Sequence, residues 1–240
     1  MAYIVGLDLG QSFDYTALVI LEAGGTPPAQ ATYAVRHLHR WPLDTSYPTM
    51  LADLAGLLAR APLAGRSTLV VDHTGVGRPV VDQIRQGGLA CLAVSLHGGD
   101  VVTQMGANYR VPKRDLVGVV QVLLQQRRVR FAAGLPLVGV LTQELLNFKV
   151  TIDPRTAHDS YASWREKDHD DLVLALALAC WWAEREAGSR VPPLDLSQAL
   201  MPTHRGAVLG PRRVWRDELP EDDDPLDLAA WDEVKRGGRR

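Results

Sequence analysis

Short apolar runs separated by turn residues dominate the first 190 positions of the chain. Three such runs come first and predict strands joined as an antiparallel meander, at residues 4–9, 16–21 and 32–38. Strand-like and helix-like patterns then alternate. We expect strands at residues 68–71, 89–94 and 129–131, and helices at 50–58, 80–84, 115–124, 137–146 and 171–186. This order predicts a mixed α/β sheet with helices on both faces.

Two regions depart from this alternation. A turn signal at residues 153–155 lies between two short strand-like runs and predicts a β-hairpin over 148–164. Residues 189–240 contain six prolines, and positions 217–227 hold seven acids without a base. We therefore divide the chain into a domain at 1–188 and a Pro-rich, charged tail that is extended or partly disordered.

Composition narrows the possible classes of protein. The chain has 240 residues, of which 46% are hydrophobic, as in ordinary globular proteins. The two cysteines, Cys91 and Cys180, lie in apolar runs, so we expect no disulfide framework and a location in the cytoplasm. No apolar run approaches the roughly 20 residues of a membrane span, so we expect no membrane partner.

Four acidic residues stand at the ends of apolar elements. Asp8 and Asp72 each follow a predicted buried strand, and Asp170 and Asp171 precede the last predicted helix. A buried carboxylate must be paired, hydrogen-bonded or bound to a metal, and carboxylates that meet repel each other without a cation. Oxygen ligands select hard ions such as Mg²⁺ or Mn²⁺. Any one of these acids alone is more simply a turn residue or a helix cap; their combination indicates a metal site.

The motifs that contain these acids resemble a known family. The segments are GLDLGQSFDYTAL, VVDHTGVGRPVVDQI, VPKRDLVGVVQVLL and HDDLVLALALA, in that order. They are similar to the nuclease domain of the large terminase subunit of tailed phages over residues 3–187. The resemblance implies an RNase H-like fold with a β-hairpin beside the active site. It also implies a Mg²⁺- or Mn²⁺-dependent endonuclease that cleaves concatemeric viral DNA by two-metal phosphodiester hydrolysis.

The resemblance assigns roles to individual acids. Asp8 matches the ligand on the first strand and would bridge two ions. Asp72 and Asp171 would each hold one ion, and Asp170 stands beside Asp171 as an alternative ligand. All four are therefore candidate catalytic and metal-binding residues.

Further positions near the motifs are auxiliary or depart from the family. Asp14 matches an additional family acid beyond the first strand. His169 could orient a carboxylate or approach the leaving group, although a surface histidine at a helix start is the simpler reading. Leu174 stands where many relatives have another acid, which weakens the ligand set for a second ion.

The net charge of −2 hides a local excess of bases. Residues 110–130 contain six bases and one acid, which is either a track for DNA phosphates or a solvated helix face. Three bases in and after the predicted hairpin could add DNA contacts. The candidate DNA-binding residues are Arg110, Lys113, Arg114, Arg127, Arg128, Arg130, Arg155, Arg165 and Lys167.

The expected partner is double-stranded DNA. The chain contains no G-x-x-x-x-G-K-[ST] phosphate loop, so we expect either the nuclease part of a terminase alone or a free-standing relative. The family further implies a separate packaging ATPase, a small terminase subunit and a portal protein. Two alternatives remain open: a resolvase of Holliday junctions, and a catalytically silent module that binds DNA or the portal. The acidic tail either competes with DNA or is a solvated terminus.

Overall fold

The computed structural model describes residues 2–10, 14–25, 31–75, 77–147 and 170–189. The strands in these ranges are β1 (Ala2–Asp8), β2 (Ala17–Gly24), β3 (Thr32–Arg40), β4 (Ser67–Asp72), β5 (Cys91–His97), β6 (Thr103–Met105), β7 (Asn108–Pro112) and β8 (Val129–Phe131). The helices are α1 (Tyr47–Leu58), α2 (Gly77–Gln86), α3 (Lys113–Gln125), α4 (Val138–Asn147) and α5 (Asp171–Ser189).

The described strands form one mixed sheet in the order β6-β7-β5-β4-β1-β2-β3-β8. The first three strands are antiparallel neighbours, which confirms the predicted meander. β4 pairs parallel with β1, β5 with β4, and β7 with β5. The strands β1, β3, β4, β5 and β7 therefore point the same way, and we call the end where they finish the carboxyl end of the sheet.

Helices cover both faces of the sheet, as the alternating pattern predicts. One core contains the buried side chains of α3, α4 and α5, and the other contains those of α1 and α2. Residues that alternate along β1 point to opposite cores: Ile4 belongs to the first, and Val5 and Leu7 to the second. A central strand buried on both faces has the continuous apolar sequence that β1 shows.

α5 packs directly across β1. Leu172 to Cys180 are all buried, so the helix is apolar around its whole circumference, as expected for a helix inside a core. Gly6 permits the close approach, because a Cβ atom there would lie 1.9 Å from the backbone oxygen of Ala175. A side chain at position 6 would therefore force the strand and helix apart.

α1 supports the loop that follows β1. The helix begins after Ser46, whose Oγ accepts the N–H of Thr49 at 3.3 Å, and Pro48 occupies its first turn. The hydroxyl of Tyr47 donates to the backbone oxygen of Gly10 at 3.0 Å. The first turn of α1 therefore anchors the chain two residues beyond Asp8.

Several expectations concern residues outside the described ranges. The hairpin at 148–164 and the tail beyond residue 189 belong to this group, so both stay predictions. Among the described helices, none is long and apolar enough to cross a membrane.

Candidate functional site

Asp8 and Asp72 are the last residues of two adjacent parallel strands. The register pairs Leu7 with Val71, so the two acids occupy the next row across β1 and β4. Leu7 and Val71 both face the α1–α2 core, and strand alternation therefore directs Asp8 and Asp72 to the face covered by α5. Both acids are buried, at 5% and 3% exposure. Two carboxylates thus share one row and one face at the carboxyl end of the sheet.

The start of α5 lies beside this row. Ala175 packs on Gly6, and Asp171 precedes Ala175 by four residues, or about 6 Å along the helix axis. Asp8 follows Gly6 by two residues, or about 6.6 Å along the strand. Because α5 begins at the carboxyl end of the sheet, these two steps run in the same direction. The backbone therefore brings Asp171 to the row that contains Asp8.

The two acids at the helix start have different positions. The backbone oxygen of Asp170 accepts the N–H of Leu174 at 2.9 Å, which makes Asp170 the residue that caps the helix. Asp171 is the first helical residue and is 3% exposed. Leu174 packs in the protein interior at 2% exposure, so the core uses the position where many relatives of the resembled family have an acid.

A short hydrogen-bonded turn fixes Asp72. Its Oδ1 accepts the N–H of Thr74 at 2.7 Å, and the Thr74 hydroxyl accepts the N–H of Leu96 on β5 at 2.9 Å. A Cβ at Gly77, where α2 starts, would lie 2.4 Å from the backbone oxygen of Asp72. The turn that follows Asp72 is therefore held between β5 and the start of α2.

His73 follows Asp72 but belongs to a different environment. Its Nδ1 lies 2.9 Å from the hydroxyl of Ser95 on β5. Burial, together with the positive charges of Arg78 and Arg85, lowers the pKa of His73. The ring is thus neutral near pH 7 and hydrogen-bonded within the fold.

Sequence reasoning missed a charged pair in the site. Arg40, the last residue of β3, contacts Glu144 of α4 and donates to Oδ2 of Asp171 at 3.2 Å. Glu144 in turn accepts the N–H of Val173 at 3.1 Å, so it also caps the start of α5. Burial raises the pKa of Glu144 to about 7, although Arg40 and the N–H of Val173 favour the charged form. Asp171 thus belongs to a network of two acids and one arginine.

The chemistry of these donors matches a hard cation, but their side chains are not assembled as a ligand set. Three acidic residues lie at this end of the sheet, and carboxylate oxygens are ligands that Mg²⁺ and Mn²⁺ prefer. However, no group of three or more His, Cys, Asp or Glu residues in the described part of the chain is arranged to hold a metal ion. Asp72 is directed toward Thr74 and Asp171 toward Arg40. The backbone therefore brings the acids to one end of the sheet, while Asp72 and Asp171 are engaged with partners in the protein.

The basic stretch divides between opposite parts of the sheet. β7 and β8 are six strands apart, or about 29 Å at 4.8 Å per strand. Arg110, Lys113 and Arg114 lie on the β7 side, where Arg110 and Arg114 are exposed and Lys113 is buried. α3 begins at the carboxyl end of the sheet, so Arg114 is on the same end as the acids. Among the bases of the stretch, these three therefore lie at the same end of the sheet as the candidate site.

The other half of the stretch lies at the opposite end of the sheet. Val129 pairs with Tyr33 near the start of β3, whereas the acids lie at the end where β3 finishes. Arg128 forms two contacts with Glu184, at 2.5 and 2.9 Å, and donates to the backbone oxygen of Ala31 at 2.7 Å. Arg128 therefore joins β8, β3 and α5. Its neighbours Arg127 and Arg130 are exposed.

Asp14 is exposed in the loop between β1 and β2. A Cβ at Gly10 would lie 2.1 Å from the backbone oxygen of Asp14, so Asp14 lies close to Gly10, two residues beyond the end of β1. The remaining candidates fall outside the described ranges and stay predictions: His169, Arg155, Arg165 and Lys167.

Known structures share this fold. The chain superposes on the large terminase from a thermophilic bacteriophage in complex with ADP, with a TM-score of 0.51 and 11% identity over 76% of this chain and 39% of that chain. The manganese-soaked terminase nuclease domain of human cytomegalovirus gives a TM-score of 0.46 and 14% identity, over 74% of this chain and 81% of that chain. For Thermus thermophilus RuvC the values are 0.40 and 14%, over 80% and 99%.

The likeness to the thermophilic phage's large terminase is a likeness of fold alone, and that fold is the RNase H-like fold that the sequence motifs imply. The chain spans about two fifths of the length of the thermophilic phage's large terminase. No protein-family model and no curated protein sequence matches the chain.

Proposed function

We propose that the chain is a divalent-metal-dependent DNA endonuclease of the terminase type. The observation that carries this proposal is the shared row of Asp8 and Asp72 on adjacent parallel strands, with Asp171 brought beside them by the packing of Ala175 on Gly6. The motifs that contain these acids are the ones that resemble terminase nucleases. Double-stranded DNA is the proposed substrate, and a packaging ATPase, a small terminase subunit and a portal protein are the proposed partners.

The implied reaction is hydrolysis of a phosphodiester bond. Water attacks phosphorus, the bond from phosphorus to the 3′ oxygen breaks, and the proton of the water is lost as the leaving oxygen gains one. A divalent ion supplies, when bound, Lewis-acid activation of the water and stabilisation of the phosphate charge. Asp8 and Asp72 would hold it, since both point to the same side of the sheet from neighbouring strands.

The residues around these acids determine where their side chains lie. Ala17 pairs with Asp8 on β2 and carries only a methyl group on the same face. The turn at Thr74 orients Asp72. Exposed Arg110 and Arg114 on the β7 side are the proposed contacts for DNA phosphates, a role that needs positive charge but no sequence readout.

Plasmid cleavage tests the proposal. The full chain should convert supercoiled plasmid into open and linear forms when Mn²⁺ or Mg²⁺ is present, and chelation of the ions should stop the reaction. Asp8→Asn should abolish cleavage, whereas Asp82→Asn, at an exposed acid on α2, should not change it. Intact plasmid with both ions, or full activity of Asp8→Asn, would reject the proposal. Selective, symmetric cutting of a four-way junction over linear duplex would favour a resolvase instead.

A second candidate is a DNA-binding module without catalytic activity. Leu174 and the pairing of Asp171 with Arg40 favour it, because both reduce the acids that are available to a metal. DNA binding in gel-shift assays without any Mn²⁺-dependent cleavage would support this candidate. Metal-dependent cleavage that is lost in Asp8→Asn would exclude it.

A further inference from the structure

Arg40 lies in the same row of the sheet as the candidate acids. Asp8 pairs with Ala17 on β2, and Ala17 pairs with Arg40 on β3. Directly paired residues point to the same face of a sheet, so Arg40, Ala17, Asp8 and Asp72 form one row on the face that α5 covers. The small Ala17 side chain separates Arg40 from Asp8. A fixed cation therefore stands in line with the two carboxylates.

Neighbours hold the Arg40 guanidinium from three sides. It contacts Glu144 from α4, donates to Asp171 from α5 at 3.2 Å, and lies 4.8 Å from the centre of the Tyr15 ring. Its side chain is 15% exposed. Its position is therefore set by the fold rather than by a flexible surface conformation.

This arrangement changes what Asp171 can do. The resemblance to terminases gives Asp171 to one of two metal ions, and Leu174 replaces an acid that would assist it. In this chain Asp171 already neutralises a guanidinium, and a divalent ion at the same carboxylate would face the positive charge of Arg40 at close range. Asp8 and Asp72 lie further along the row, on adjacent strands and beyond Ala17, so an ion between them is more distant from that charge.

We propose that Arg40 supplies the second positive charge of the site, and that the chain binds a single divalent ion between Asp8 and Asp72. This inference rests on the proposed nuclease function. A guanidinium suits the role because its planar donors match the oxygens of a phosphate. Glu144 acts through Arg40 and is a positioning residue.

The number of bound Mn²⁺ ions tests the proposal without relying on activity. Metal-free full-length chain is titrated with Mn²⁺, and binding is followed by calorimetry and by the loss of the free-ion signal in electron paramagnetic resonance. The wild type should bind one ion per chain. The double variant Arg40→Gln/Glu144→Gln should bind two, because Asp171 is released while the amide introduced at position 144 still offers an oxygen to the N–H of Val173. Arg40→Lys, which keeps the charge, should remain at one.

A second ion pair, which joins an arginine of β3 to a glutamate of β2, provides the matched control. Arg36 Nε lies 2.7 Å from Oε2 of Glu22, and both side chains are 13% exposed, close to the exposure of Arg40. The double variant Arg36→Gln/Glu22→Gln loses a comparable pair away from the row of acids. It should bind one ion, as the wild type does. Circular dichroism of each variant verifies that the fold is retained.

The ion counts distinguish failure of the role of Arg40 from failure of the nuclease function. Two ions in the wild type, or one ion in the folded Arg40→Gln/Glu144→Gln variant, would overturn the role of Arg40 and leave the nuclease proposal standing. If the double variant does not fold, the wild-type count still decides. Absence of any bound ion in the wild type would overturn both proposals. One ion in the wild type and two in the variant, without DNA cleavage by either, would reject the nuclease function and with it the contact of Arg40 with a phosphate; only the effect of Arg40 on the number of bound ions would stand.

Discussion

Substitution of Gly6 by alanine should disrupt the contact that joins the candidate site. The added Cβ would lie 1.9 Å from the backbone oxygen of Ala175 and 3.1 Å from the Cβ of Ala179. A carbon–oxygen contact needs about 3.3 Å, so β1 and α5 must separate by roughly 1.4 Å. The clash is with helix backbone and cannot be relieved by a rotamer change. We expect a loss of about 2–3 kcal/mol in the free energy of unfolding, near the upper end for overpacked cores.

The same displacement should lower the rate of DNA cleavage by more than the loss of stability alone would. Asp171 lies one helical turn before Ala175 and would move away from Asp8. A misplacement of about 1 Å can reduce an enzymatic rate by about 10²-fold. Urea unfolding followed by circular dichroism measures the stability, and plasmid cleavage under conditions where the variant is fully folded measures the rate.

Gly56→Ala is the control for this experiment. Gly56 lies in α1, and an added Cβ would meet no atom within 4 Å. Alanine should therefore stabilise the helix by up to about 1 kcal/mol and leave cleavage unchanged. If Gly6→Ala unfolds at the urea concentration of the wild type, the close packing of α5 on β1 is refuted, and with it the placement of Asp171 beside Asp8.

Three further predictions concern single side chains. The pKa of Glu144 is about 7 in the fold against 4.5 ordinarily, so its contribution to the free energy of unfolding falls as pH rises between those values. From pH 4.5 to 7, the free energy of unfolding of Glu144→Gln should rise by up to about 3 kcal/mol relative to that of the wild type. Urea-unfolding stabilities that change in parallel with pH in the two proteins would contradict this. Arg128→Leu should lower the free energy of unfolding in urea by about 1–3 kcal/mol without changing the salt dependence of DNA binding. Arg114→Ala should instead reduce the slope of the logarithm of the DNA-binding constant against the logarithm of salt concentration by about 0.9. The reverse pattern would refute the division of the basic stretch. Burial raises the pKa of Cys91 and Cys180, so Ellman's reagent should modify both thiols only after unfolding. Rapid labelling of either thiol in the native chain would disprove its burial.

The apolar pattern was sufficient to predict the sheet and its flanking helices. β1, β2 and β4 have continuous apolar runs because they lie at the centre of the sheet, buried on both faces, whereas β3 alternates. β6 was missed because it is a short edge strand whose three residues are all exposed, and β7 was missed because the exposed Arg110 interrupts its short apolar run. The only local signal was Gly106, which has a φ of 60° in the two-residue turn that joins them.

The site was only partly accessible from the sequence. The acids at the ends of apolar runs predicted that Asp8 and Asp72 lie together, because strand direction brings such ends to one edge of the sheet. Arg40 escaped detection because a register shift in the pairing of β2 with β3, between Ile20 and Leu21, breaks the simple alternation along β3. Glu144 looked like an ordinary polar residue of an amphipathic helix. Only the packing of α4 against α5 shows that it caps the last helix and holds Arg40.

A crystal of the full chain soaked in Mn²⁺ and measured at the manganese absorption edge tests the proposed metal site most directly. We expect an anomalous peak bound by the carboxylates of Asp8 and Asp72, with Arg40 still paired with Asp171. The peak should vanish in Asp8→Asn crystals soaked in the same way. A saturated soak that shows no peak between these two acids, or a peak held only by residues elsewhere in the chain, would contradict a metal site at this end of the sheet.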